Sequence, residues 1–145
     1  MKEPGIRVRQ TPILARPRLQ RLLAGRWKVA LLAAPAGFGK STLVAQYAGR
    51  RPVLWCRLDR EDRDVAHLMG NLIAAGLRLR PPIGAETQRL FAARRDLERD
   101  GRFLTLSLLG ELVPPRGERL VVIEDVHVLA EAREALAWLR RLMEE

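Results

Sequence analysis

The segment Ala34-Pro35-Ala36-Gly37-Phe38-Gly39-Lys40-Ser41-Thr42 lies between two different hydrophobic patterns. Before it, Val29 to Ala34 is an unbroken apolar run, the signature of a strand buried on both faces. After it, Leu43, Val44 and Tyr47 recur at helical spacing until Gly49 ends the pattern. Strand, glycine-rich turn and helix in that order match the phosphate-binding loop G-x-x-x-x-G-K-[ST], with Ala34 in the place of the first glycine. The physics asks for small residues, so that successive backbone N–H groups can curl around an anion at a helix start. Ala36, Gly37, Phe38 and Gly39 form that cradle. Lys40 is then the mobile charge for the β and γ phosphates, the Ser41 hydroxyl is a Mg²⁺ ligand, and Thr42 supports the α phosphate.

Outward from this segment the chain alternates strands and helices. A second apolar run, Val53 to Leu58, follows Pro52 and stops at the acidic group Asp59, Glu61, Asp62 and Asp64. Val65, Leu68, Met69, Leu72, Ile73 and Leu77 trace one face of a helix with Asp64 as its N-cap and Pro81-Pro82 beyond its end. Glu86 to Val113 holds two weaker helical patterns, divided near Asp100-Gly101. Leu120 to Ile123 is a third apolar strand, ending in Glu124-Asp125, and Leu129, Leu136, Leu139 and Met143 mark a last amphipathic helix. That helix reaches Glu144-Glu145 with no stop signal and with acids where the helix dipole favours bases, which predicts a sequence cut from a longer one. Upstream, Met1 to Gln10 reads as an extended arm, and a short helix runs from Arg18 to Gly25. The whole predicts an α/β fold with a parallel sheet, divided into an arm and short helix over 1–27 and a partial domain over 28–145.

Four apolar residues followed by Glu124-Asp125 form the second chemical element. Two carboxylates beside Mg²⁺ and a γ phosphate anchor the metal and polarise water, giving Glu124 a metal role with Ser41 and making Lys40, Glu124 and Asp125 the catalytic set. The plainer alternative is a buried strand that reaches the surface with two solvated acids.

Composition narrows the remaining choices. With 145 residues, 48% of them hydrophobic and 30% charged, the chain has the make-up of one globular domain or part of one. One cysteine, Cys56, and two histidines, His67 and His127, exclude a disulfide framework or a Cys-rich zinc cluster. Together with the lack of an apolar run near the roughly 20 residues of a membrane helix, this predicts a cytoplasmic protein with no membrane partner. The net charge of +9 invites a nucleic-acid reading. However, the lysines are only Lys2, Lys28 and Lys40, the arginines are spread along the whole chain, and no helix pair reads as a recognition head, so direct sequence-specific DNA binding is not expected. Cys56 reads as a small buried residue, His127 as a structural hydrogen-bonding group, and Asp59, Asp62 and Asp64 as capping and solvated acids, lacking the glycine and distal glutamate of a calcium loop.

Four stretches in order resemble one family: R-P-R-L at Arg16 to Leu19, A-P-A-G-F-G-K-S-T, V-L-W-C-R-L-D-R-E-D-R-D at Val53 to Asp64, and V-V-I-E-D-V-H at Val121 to His127. They look like the N-terminal part of the ATPase domain of the large LuxR-type transcription activators. That group includes the maltose-regulon activator and belongs to the signal-transduction ATPases with numerous domains. The resemblance implies a P-loop NTPase fold of the AAA/ASCE-like, three-layer type, cut after the Glu124-Asp125 strand and the next helix. It implies ATP/ADP and Mg²⁺ as cofactors and slow hydrolysis in the full-length context. It also implies a switch that works through self-association or the remaining domains. Arg16, Pro17 and Arg18 match the segment lining the adenine side, where a basic lead into a helix is the other reading. Two positions depart from the family: Glu124 replaces the first of two aspartates, adding a methylene at the metal side, and Arg63 stands where asparagine is usual. Asp125 keeps the position that orients the attacking water. Two further classes stay open, a non-hydrolysing nucleotide-binding interaction module and a small P-loop kinase.

Overall fold

The structure, a computed structural model, describes residues 14–93, 97–114 and 118–144. The arm expected over Met1 to Gln10 lies outside the described residues. The chain divides into two compact units, one up to Tyr47 and one from Ala48 onward.

In the first unit, helix α1 spans Pro17–Leu23 and opens on a proline, whose fixed φ and missing N–H suit the first helical turn. Helix α2 spans Lys40–Ala48, as its apolar spacing predicts. The run from Val29 to Ala34 is not a strand. Val29 is 52% exposed and Leu31 86% exposed. A strand exists through its ladder of hydrogen bonds to a neighbour. Among the described residues none pairs with this run, so apolar character alone leaves it extended and irregular.

The second unit is mixed α/β. Strand β1, Val53–Arg57, and strand β2, Leu120–Glu124, pair in parallel with Val53 opposite Leu120 and Arg57 opposite Glu124. Helices α3 (Val65–Leu77), α4 (Ala85–Ala93) and α5 (Leu97–Leu112) form the crossover between them, and α6 (Arg133–Glu144) follows β2. Parallel strands require such a crossover, since no short turn can reverse the chain direction. Along β1 burial alternates: Leu54 and Cys56 are fully buried while Val53 and Trp55 are half-buried. The apolar run expected as a buried strand is therefore fully buried on one face and half-buried on the other. Leu54 and Cys56 belong to one core with Leu68, Met69 and Leu72 of α3, Leu104 and Leu108 of α5, and Leu139 of α6. Each fully buried leucine contributes about 2 kcal/mol of transfer free energy.

Polar groups set the ends of these helices. Asp64 caps α3 as predicted, accepting from the N–H groups of Ala66 at 2.8 Å and His67 at 3.1 Å. The cap of α4 comes from a distant residue: Glu111 of α5 accepts from the N–H groups of Gly84 (2.9 Å), Glu86 (3.4 Å) and Thr87 (2.8 Å), and from Thr87 Oγ1 (2.6 Å). Arg119 closes the far end of α5 by donating to the carbonyls of Glu111 and Leu112, both at 2.7 Å. The helical stretch expected to divide near Asp100-Gly101 runs through both residues as part of α5. One glycine inside a helix with a buried leucine face costs only about 1 kcal/mol and does not end it. Gly76 of α3 has a different duty, since a Cβ there would lie 2.6 Å from the Ile83 carbonyl oxygen. Among the described residues no helix is long and apolar enough to cross a membrane.

Candidate functional site

In the first unit the turn before α2 has the conformation its residues permit. Gly37 and Gly39 carry φ of +81° and +75°, the left-handed region where only glycine is free of side-chain strain. Their alternation with Phe38 bends the backbone ahead of the helix, and Leu43 N–H donating to Gly39 O at 2.9 Å starts the first turn. Lys40 folds back over this bend. Its Nζ donates to Ala34 O at 2.5 Å and Pro35 O at 3.0 Å. The ammonium is thus held at the start of the turn it would serve, on neutral carbonyl dipoles that an anion can displace. Ser41 and Thr42 occupy the first turn of α2.

Arg16 is brought to the same turn. Its Nη1 donates to Phe38 O at 3.0 Å, and its guanidinium faces Gly39, where an added Cβ would lie 3.5 Å from Nη2. Pro17 lines a shallow cleft of about 350 Å³ between α1 and α2, with Gln20, Arg21, Ala24, Gln46 and Tyr47. Gln20 Nε2 donates to Gln46 Oε1 across it at 3.1 Å. Arg18 is exposed and is not among the cleft's lining residues.

In the second unit Glu124 and Asp125 end β2. The Glu124 side chain is mostly buried, whereas that of Asp125 is 46% exposed. Asp125 adopts φ +60° and ψ +31°, and it is the one non-glycine residue with positive φ among those described. Arg57 faces both acids: Nη2 lies 3.1 Å from Glu124 Oε2 and Nε 3.5 Å from Asp125 Oδ2. His127 makes only a loose 3.9 Å approach to Asp125 and is exposed. Arg63 donates from Nε to Val128 O at 2.9 Å and so ties the turn before α3 to the turn after β2.

The acids before α3 are structural. Asp62, only 2% exposed, accepts from Asp59 N–H at 2.8 Å and from Asn71 Nδ2 at 3.0 Å. Asn71 also donates to Arg57 O. No group of three or more His, Cys, Asp or Glu among the described residues could hold a metal on its own. A metal shared with nucleotide needs fewer protein ligands, and hydroxyl and carboxylate oxygens are the hard donors that suit Mg²⁺. Cys56 is buried, and burial first, then the nearby Asp62 charge, push its thiol up to about 11, against the opposing effect of Arg78. It is inert, in keeping with its reading as a small core residue.

Sequence reasoning passed over Arg57 and Glu111. Arg57 closes an otherwise apolar strand, and a basic residue two positions before the acidic group was a usable signal for a charge at the strand's end. Glu111 carries no such mark, because its partners lie more than 20 positions away.

Comparison with known proteins places the chain in wider company. It is 30% identical over 132 residues to the serine/threonine-protein kinase PknK of Mycobacterium tuberculosis, covering 86% of this chain and 12% of that protein. It is 31% identical over 124 residues to the HTH-type transcriptional regulator MalT of Vibrio cholerae, covering 80% of this chain and 13% of the relative. Against MalT of Vibrio parahaemolyticus the figures are 28% over 135 residues, 90% of this chain and 15% of the relative. Over most of its length the chain is similar to one segment of far longer bacterial proteins. It spans about an eighth of the length of the first two. No family model matches, and no solved structure matches.

Proposed function

We propose that this chain is a Mg-ATP-binding switch segment of a longer regulator, built on a P-loop NTPase fold. The observation that carries the reading is the turn from Ala34 to Lys40, with Gly37 and Gly39 in the left-handed region and the lysine folded over it at the start of α2. In this reading Ala36 to Gly39 present backbone N–H groups to the phosphates and Lys40 exchanges its two carbonyls for phosphate oxygens. Arg16 and Pro17 take the nucleoside side. Ser41 and Glu124 are the residues that would hold Mg²⁺, and Asp125 would orient water. The metal supplies charge neutralisation at the phosphates.

The comparisons support the regulatory part. The matches to PknK and to MalT each cover at least 80% of this chain, so they overlap. One relative is named as a serine/threonine-protein kinase and the other as a transcriptional regulator. A segment common to both is more economically a shared control element than either output. A small P-loop kinase is a second reading, and phosphate transfer to an added acceptor in place of release to water would favour it. A non-hydrolysing module has one observation in its favour: Arg57 occupies the two acids that hydrolysis would need.

Calorimetric titration with Mg-ATP and Mg-ADP, run beside Lys40→Ala, tests the proposal. Saturable binding by the natural sequence that weakens at least tenfold in the variant is the expected result. Equal affinity in both proteins would overturn it. Phosphate release by the same samples, with Asp125→Asn as control, separates a hydrolysing switch from a binding module.

A further inference from the structure

We infer that Arg57 is a built-in competitor for the divalent cation: its guanidinium holds Glu124 and Asp125 while no metal is bound and sets the Mg²⁺ concentration at which these acids are released. This rests on the nucleotide-site reading above and adds to it a regulatory residue that the motifs do not contain. Three observations carry it. The parallel register sets Arg57 directly opposite Glu124, so the pairing is built into the strand alignment rather than into a mobile loop. One guanidinium reaches both acids, at 3.1 Å and 3.5 Å, and sets a positive charge where a divalent ion would otherwise supply one of the same sign. The two partners also differ in freedom, the Arg57 side chain being 69% exposed and that of Glu124 only 16%. The carboxylate is fixed while the cation that covers it can swing into water.

Asp125 fits the same device. Its left-handed backbone is a conformation that aspartate tolerates at modest cost, and in it the side chain keeps Oδ2 near Arg57 Nε. Of the basic side chains around these acids, Arg63 donates to the Val128 carbonyl, and the exposed His127 ring approaches Asp125 at 3.9 Å. Mg²⁺ demands close octahedral oxygen ligands and sheds water reluctantly. An oxygen engaged by a guanidinium is a poorer ligand, and a positive charge left beside the metal repels it. Arg57 must therefore rotate outward before the acids can serve a metal, and its exposure permits that.

The test is the Mg²⁺ dependence of binding of a fluorescent ADP analogue by the full chain, with Arg57→Gln and Arg57→Lys. In Arg57→Gln the half-saturating Mg²⁺ concentration should fall roughly threefold to tenfold, the range that two partly exposed ion pairs supply. Arg57→Lys, a point charge without the planar fork, should lie between the two. Raising the salt to about 1 M should narrow the difference, since exposed pairs are screened. Binding in EDTA should not differ between the three proteins. An unchanged or higher Mg²⁺ requirement in Arg57→Gln, with thermal stability retained, overturns the inference. If that result comes with nucleotide binding that depends on Lys40, the latch alone is wrong. If the natural sequence binds no nucleotide, or Lys40→Ala binds as well as it does, both readings fail.

Discussion

Replacing Glu111 by alanine removes one side chain of α5 and should loosen the start of α4. Three backbone N–H groups, those of Gly84, Glu86 and Thr87, lose their acceptor, and the fully buried Thr87 hydroxyl keeps only Ser107 at 2.9 Å. Loss of an N-terminal cap costs about 1 kcal/mol. Loss of a charge-assisted bond to a buried partner adds about 1.5–3 kcal/mol. Together the expected destabilisation is about 2–4 kcal/mol, or a fall in Tm on the order of 6–12 °C for a chain of this size. Thermal and urea unfolding followed by circular dichroism measure it, and Glu111→Gln, which keeps one acceptor oxygen, should recover about half. Urea slopes should stay unchanged, because the lesion acts on the folded state. A loss under about 0.5 kcal/mol, the scatter of ordinary surface substitutions, would refute the idea that a residue of one helix caps the helix before it.

The same carboxylate makes stability depend on pH. Burial pushes the Glu111 carboxyl up, but the bonds from the Thr87 hydroxyl and from the Thr87, Glu86 and Gly84 N–H groups outweigh it and hold the group below its ordinary value of 4.5. A carboxyl depressed in the folded state stabilises above 4.5, and that contribution disappears as pH falls through the lower, folded value. The Tm gap between the natural sequence and Glu111→Gln should therefore be full above 4.5 and close in stronger acid, which a series of melts will read. Gly76→Ala should cost about 1–3 kcal/mol, because its Cβ would press 2.6 Å from a backbone oxygen that cannot step aside; wild-type stability in a denaturant titration would contradict this. Cys56, buried and with its thiol raised to about 11, should react with a disulfide reagent at pH 8 at least about a hundredfold more slowly in the native chain than in guanidinium.

Local signals were readable where the physics is local. Asp64 followed by Val65, Leu68, Met69 and Leu72 specifies both a cap and a buried face, and α3 starts and ends where that pattern does. The glycines at 37 and 39 announce a backbone that other residues resist, and both take it. The strand from Val29 to Ala34 failed because an apolar hexapeptide states a preference, and a ladder needs a second chain segment to satisfy it. The unequal burial of the two faces of β1 has the same origin, since it depends on what covers the sheet. The two charged contacts that matter most, Arg57 with Glu124 and Glu111 with the start of α4, join residues 67 and more than 20 positions apart. Only the strand register and the helix packing bring them together, and neither is written in any short window.

Trp27 offers a use unrelated to binding. Its indole N–H donates to Leu23 O at 2.6 Å, and its ring stands 6.2 Å from that of Tyr47 with a 42° tilt. Tyr47 is the single tyrosine among three tryptophans, and Trp55 and Trp138 belong to the second unit. Energy absorbed by Tyr47 passes to Trp27 at this separation, so tyrosine emission stays dark while the first unit holds its shape. Its reappearance is an optical signal of that unit opening, readable without a label in the same cuvette in which the tryptophans of the second unit are followed.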